Sequence, residues 1–566
     1  MPYAGPTLAL LAAIATASPT FAARAPTAIF DHFTYRQTAA RAADGPPPPG
    51  MYHNPVIPGS YPDPSIVRVG RDYYLATSSF TAWPAIPIFH SRDLVRWTQI
   101  GHAVTRPEQM VLKNLDASWQ GLYAPDLKYH RGRFYLLSTC YACGGNFVMT
   151  ATSAAGPWSN PRWLPFEGID PSIFFDDDGR AYVLNNGPPL GEPRYDGHRA
   201  IWLQEIDLAS LRMIGPRTTI VDGGVDLGAP PFWVEGPHLI KRDGRYVLIA
   251  AQGGTKERHA QVVFASQALR GPYLPGPANP ILTQAGLDPH RSDPVSSAGH
   301  ADLVETPEGE WWAVFLANRP YGPHDLLTNI GREVFLLPVD WRDGWPAILP
   351  SGRPVPLQAE RPKLPLRRPG STHTAIDEAF ATPRLRFDWV SLGTPQTSWW
   401  RVADGKLHVD TRAVALGDKG QPAFLAVRQR HHDAVATTRV TFNPVRVEER
   451  AGLVAYADAE HFLALSVARR RDGRREVRLE RRSTPKERAT GSLVAAAALT
   501  GGGSRPVELR ITMRGGVYRF AFSEHRGRWR NIGGDQDATI LSIKATDGFV
   551  GTLIGLYGYS PRGLNS

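Results

Sequence analysis

The sequence predicts an all-β protein, a five-bladed β-propeller followed by a β-sandwich, on three observations. Gly (54) and Pro (51) are abundant beside 15 Trp and 19 Tyr, a composition suited to strands joined by tight turns. No long stretch after residue 50 carries the helical period. A pattern also recurs five times at intervals of about 60 residues, as when one small antiparallel sheet is repeated around an axis.

The copies read DPSIVRVGRDYYLATSS from Asp63, APDLKYHRGRFYLLST from Ala124, DPSIFFDDDGRAYVLNN from Asp170, EGPHLIKRDGRYVLIAAQ from Glu235 and GHADLVETPEGEWWAVFL from Gly299. Each has a short polar lead, an apolar strand, a turn with Gly, and a second strand rich in aromatic and β-branched residues. Ile66, Leu127, Ile173, Leu239 and Leu303 fall in register. Further strands follow in each unit, such as PIFHSRDLVRW and FVMTATSAAGPW. In a propeller the leads converge at one end of the axis, so Asp63, Asp170 and Glu235 meet in one concave place. Neighbouring carboxylates repel and their pKa values separate. One can then serve as a base while another keeps its proton, the pair that glycoside hydrolysis needs.

Around the repeats, residues 1–23 read as a signal peptide, with an apolar run from Leu8 to Ala15 that is too short for a stable anchor. No Lys or Arg precedes that run. The expected location is periplasmic or secreted. Residues 24–51, ending in GPPPPG, read as a spacer, and residues 52–350 as the propeller. The Pro-rich basic residues 351–371 read as a linker, and the short alternating strands of 372–566 as the sandwich. The net charge of +10 is that of a solvated Arg-rich surface. Its densest run, RRRDGRREVRLERR at 469–482, lacks the interleaved aromatics of a nucleic-acid platform. No other segment is apolar enough to cross a membrane. The only cysteines, Cys140 and Cys143, flank a strand end and suggest a local disulfide or two free thiols, not a catalytic pair.

Taken together, YPDPSI, GIDPSIFFDDDG, VEGPHL, GHADLVETPEGEWWAVF and GREVFLLPVDWRDGW resemble glycoside hydrolase family 43 from about Asn54 to Ala347, most closely its two-domain β-xylosidases and α-L-arabinofuranosidases. The resemblance implies that Asp63 is the general base and Glu235 the general acid. It makes Asp170 the third carboxylate, which orients the acid and raises its pKa. Arg332 would lie near the substrate and Asp170, and His300 at the base of the pocket. No cofactor is required; a calcium ion, where one is held, is structural and lies at the propeller centre near His300. Asp176, Asp177 and Asp178 read as a hairpin turn, not a calcium cluster. A pentose pocket needs aromatic walls, and Phe80 and Trp83 in SSFTAWP with Trp119 and Tyr123 in SWQGLYAPD are the candidates.

The C-terminal segment is similar to the concanavalin-like domain of those xylosidases, through QPAFLAVRQRHH and ERAGLVAYAD. Such domains continue after LYG into a last strand with aromatic and acidic residues, whereas this chain ends in SPRGLNS. That strand is expected to be missing. The domain can also send a loop towards the pocket, from a position the sequence does not reveal.

The expected activity is exo-acting, inverting release of terminal β-D-xylosyl or α-L-arabinofuranosyl residues from xylan, arabinoxylan or xyloglucan side chains. The partner is a pentose-containing saccharide, with no nucleic acid and no membrane. Two alternatives stay open: a carbohydrate-binding propeller without catalysis, and a retaining, transglycosylating enzyme with a nucleophile about 5–5.5 Å from the acid.

Overall fold

Each repeat folds into one antiparallel sheet, and among the described residues the five sheets follow one another along the chain. The structure, a computed structural model, describes residue 1 and residues 26–38, 47–322, 326–365, 375–502 and 504–561. The expected signal peptide falls outside these residues, apart from Met1. The sheets open with Ser65–Val69, Asp126–His130, Ile169–Phe175, Glu235–Arg242 and Ser296–Glu305. Each opening strand contacts the next, and the last returns to contact the first, so the five form a ring. The ring is also fastened at its rim. Val56 N–H donates to Val334 O at 2.9 Å, Tyr61 N–H to Arg332 O at 3.0 Å, and the Asn54 amide to Leu336 O at 3.0 Å, tying the segment before the first sheet to the last.

The turns behave as their residues dictate. Asp176–Gly179 closes a hairpin as expected, and its Asp176 binds Lys241 at 2.7 Å and the Tyr246 hydroxyl at 2.8 Å. Cys140 and Cys143 form a disulfide across the tip of another hairpin. Among the described residues no helix is long and apolar enough to cross a membrane.

The second unit is two stacked sheets around one apolar core that includes Phe30, Phe33, Trp399, Leu425, Leu453, Leu465 and Phe520. Two sequence expectations fail here. Residues 24–51 are not simply a spacer, because Thr27–Gln37 is a strand inside one of these sheets, between Lys406–Asp410 and Asp433–Thr441. Its sequence, TAIFDHFTYRQ, is rich in aromatic residues and carries an aspartate. The strand Leu553–Tyr559, which contains LYG, is itself internal, flanked by Ala423–Arg428 and Arg450–Asp458. The expected linker is partly structured, since Gln358–Glu360 pairs with Met51–His53.

Candidate active site

Counting three residues back from each register position gives Asp63, Ala124, Asp170, Gly236 and His300. Asp63, Asp170, Gly236 and His300 all have left-handed backbone, with φ of 55°, 54°, 55° and 53°. Such a conformation costs a non-glycine residue on the order of 1–3 kcal/mol and persists only where its surroundings enforce it. At Gly236 a Cβ would stand 2.7 Å from the His300 ring, so only glycine fits beside the histidine. The Asn186 amide donates to Val234 O at 2.6 Å and fixes the chain just before Glu235.

Asp63, Asp170, Glu235, His300 and Arg332 are each 5–6 % exposed, and all line one cavity of about 530 Å3. Arg332 Nη1 is 3.5 Å from Asp63 Oδ1, and the Ser78 hydroxyl donates to Asp63 Oδ2. His300 Nε2 is 3.4 Å from Asp170 Oδ2. Arg332 shares the cavity with Asp170 but makes its ion pair with Asp63, while His300 pairs with Asp170. Glu235 has no cation within ion-pair distance among the described residues.

This partition sets the protonation states. Burial, the largest influence on Asp63, would raise its pKa, but Arg332, His300 and the Ser78 hydroxyl outweigh it and hold it below the usual carboxylate value. For Glu235, burial and then the nearby Asp170 push the pKa up to about 8, with His300 opposing. Burial would lower His300, yet its bond to Asp170 and the charges of Asp63, Asp170 and Glu235 raise it to about 9. At neutral pH the floor thus holds an ionised Asp63, a protonated Glu235 and a charged His300, an acid and a base set apart by their surroundings.

Of the expected wall residues, Phe80, Trp119 and Tyr123 line the cavity. Trp83 does not. It is 6 % exposed within the core between the first two sheets, and its strand pairs with Ser391–Leu392 of the sandwich unit. Among the described residues, one group of three side chains is close enough to share a metal ion, and it comprises Asp126, His238 and Asp302.

The cavity includes residues the sequence reading missed. Tyr141 stacks on Tyr123 with centroids 5.1 Å apart, and Trp119 lies 5.6 Å from Tyr141. Tyr141 ends the second strand of its sheet and stands as far from Ala124 as Phe80 does from Asp63, so register could have found it; Lys256 lies in the loop after the second strand of the fourth sheet. Phe549 had no such signal, because it comes from the sandwich unit. Its ring lies 5.9 Å from Phe80 and 5.1 Å from the Arg332 guanidinium, and its carbonyl accepts from Arg332 Nη2 at 3.2 Å. Phe549→Ala should raise KM roughly tenfold, the upper range for losing one aromatic wall. It should change kcat less, because the carbonyl that anchors Arg332 belongs to the backbone. Steady-state kinetics beside a thermal melt checks this, and an unchanged KM would remove Phe549 from the substrate wall.

The family model for glycosyl hydrolases family 43 matches residues 52–346, and that for the beta xylosidase C-terminal concanavalin A-like domain matches residues 377–566. A xylosidase/arabinosidase of Butyrivibrio fibrisolvens is 35 % identical over 90 % of this chain and 96 % of its own length. A non-reducing end α-L-arabinofuranosidase of Bacteroides ovatus is 34 % identical over 89 % of this chain and 91 % of its own. Among solved structures, a GH43_12 retrieved from capybara gut metagenome superimposes with a TM-score of 0.86 at 35 % identity, covering 95 % of this chain and 100 % of that one. A xylan β-1,4-xylosidase from Bacillus halodurans gives 0.81 at 31 % identity, over 90 % and 97 %.

Proposed function

The chain belongs to glycoside hydrolase family 43 and is a glycosidase, and on that premise we propose that Asp63, Glu235 and Asp170 carry out an inverting hydrolysis that releases one terminal pentosyl residue. The observation that carries the assignment is the partition of cations on the floor. Asp63 has Arg332 and Asp170 has His300, while Glu235 has neither and keeps its proton. Glu235 donates that proton to the glycosidic oxygen as the bond from C1 breaks. Asp63 takes a proton from the water whose oxygen attacks C1 from the opposite face. Asp170, adjacent to the acid, holds it in its protonated form, and exchange with solvent resets both groups.

The relatives' names support β-D-xylosyl and α-L-arabinofuranosyl residues as substrates, and the aromatic walls suit the apolar faces of such sugars. We read the five sheets as the blades of a five-bladed propeller, which places the floor at the mouth of its axis. The apolar N-terminal run and the Cys140–Cys143 disulfide support an oxidising location outside the cytoplasm.

The test pairs chromogenic β-D-xylopyranoside and α-L-arabinofuranoside with NMR of the first-formed anomer. Inversion is expected, and a retained anomer would sink the assignment of Asp63 as base. Asp63→Asn should lower kcat roughly 10²–10⁴-fold on every leaving group alike, because activation of water is needed whatever departs.

A further inference from the structure

Beneath the carboxylate floor the same five strands build a second polar layer. One residue before each register position stand Ser65, Asp126, Ser172, His238 and Asp302, one from each sheet and all buried. These positions follow Asp63, Ala124, Asp170, Gly236 and His300 by two residues, so this layer lies one step further into the opening strands. Its carboxylates stitch neighbouring strands together. Asp126 accepts the Ile173 N–H at 2.8 Å, Asp302 accepts the Ile66 N–H at 2.9 Å, and the Ser65 hydroxyl donates to Asp302 at 2.8 Å. His238 Nδ1 lies 3.3 Å from Asp126 Oδ1 and 3.7 Å from Asp302 Oδ1.

Asp126, His238 and Asp302 each place a ligand atom within 4.8 Å of the others, and this is where a structural calcium would be sought. The residues do not fit one. Two carboxylates and an imidazole fall well short of the 6–8 oxygen ligands calcium takes. The position between the carboxylates is also taken: Lys128 Nζ is 2.8 Å from Asp302 Oδ2 and 3.2 Å from Asp126 Oδ1. An ammonium and a divalent ion repel and cannot share that position.

We infer that the Lys128 ammonium is the resident cation of this hub, so that the ring is closed at its axis by a side chain of the chain itself and needs no metal ion. Lys128 sits two residues beyond Asp126, and the equivalent positions in the other sheets are Val67, Phe174, Ile240 and Val304. One cation thus faces two carboxylates in an otherwise apolar layer. Its side chain is 22 % exposed against 2 % for each carboxylate. Without the ammonium, two buried carboxylates bound to the same Ser65 hydroxyl face each other with only His238 beside them, an arrangement destabilising for a buried pair.

Elemental analysis and melting of the full chain, with and without exhaustive chelation, test this together with Lys128→Ala. The wild type should carry far less than one equivalent of any divalent metal, and chelation should shift its Tm by less than about 1 °C. Lys128→Ala should lower Tm by about 10 °C, and millimolar calcium should leave the Tm of the wild type unmoved. A wild type with a stoichiometric metal whose removal lowers Tm would overturn the inference. So would a variant that melts like the wild type. If the variant does not fold, the wild-type metal content and chelation response decide alone.

Discussion

Glu235→Gln is expected to lower kcat on a xylo- or arabino-oligosaccharide by roughly 10²–10⁴-fold, with a far smaller loss on an activated aryl glycoside. Glutamine keeps the shape of the acid but has no proton to give. A sugar alkoxide is a poor leaving group and needs that proton, whereas a nitrophenolate departs without it. Leaving-group dependence therefore separates Glu235 from Asp63, whose replacement should slow every substrate. The wild-type kcat/KM should fall with rising pH around 8, as Glu235 loses the proton that burial and Asp170 keep on it. The acid limb should lie below the usual carboxylate range, because Asp63 is held low. Glu235→Gln should lose the alkaline limb.

The same shift has a consequence for stability with the opposite sense. A carboxyl whose folded pKa is raised binds more protons folded than unfolded between its ordinary value and about 8. Stability therefore declines as pH rises through that window. The glutamine variant escapes this cost, which amounts to on the order of 3 kcal/mol at pH 7. It should melt higher than the wild type, and the gap should widen up to about pH 8. A Glu235→Gln protein that is fully active on oligosaccharides, or less stable than the wild type at pH 8, would remove Glu235 from the acid role.

The sequence revealed the parts of the site that repeat. Five strands in register identify Asp63, Asp170 and His300 because they occupy one position of a periodic pattern, and Glu235 because it adjoins that position. The hub of Asp126, His238 and Asp302 was legible in the same register, one residue before the shared apolar position. What stayed hidden depends on contacts between distant segments. Phe549 reaches the pocket only because the sandwich packs on the ring, where Phe549 N–H donates to Ser118 O at 2.7 Å and Gly551 N–H to the Ser60 hydroxyl at 3.0 Å. Trp83 was misplaced for a related reason. It lies three residues past Phe80, and the strand it belongs to turns away from the cavity to pair with the sandwich unit. The strand Thr27–Gln37 was obscured by a break in its alternation. Ala28 and Phe30 are buried at even positions, but the register shifts between Phe30 and Phe33, so burial continues at Phe33 and Tyr35 on odd ones. An extra residue of that kind flips the inward face, and a simple period-2 reading of TAIFDHFTYRQ finds no strand.

Deletion of Thr27–Gln37 should prevent the sandwich unit from folding and abolish activity with it. The strand pairs on one side with Leu407–Asp410 and on the other with Ala434–Thr441, so its loss exposes two rows of backbone groups in the middle of a sheet. It also removes Phe30, Phe33 and Tyr35, each fully buried. The Tyr35 hydroxyl accepts the Arg430 and His431 N–H groups, both at 3.0 Å, and those donors would be left buried without it. Phe33→Ala is the graded version: its ring meets Trp389 edge-on at 5.0 Å, and the truncation should cost about 3–5 kcal/mol, a fall in Tm of roughly 6–20 °C. Arg36→Ala on the same strand is the control. Its pair with Asp377 is 2.8 Å long but 61 % and 55 % exposed, so it should change stability by less than about 1 kcal/mol. Activity should follow the sandwich, because Phe549 and the carbonyl that anchors Arg332 hang from it. A peptide of the strand's sequence added to the deletion protein should restore part of both the Tm and the turnover. If the deletion protein instead melts and turns over like the wild type, the strand is an ornament, and the pocket does not depend on the unit that supplies its Phe549 wall.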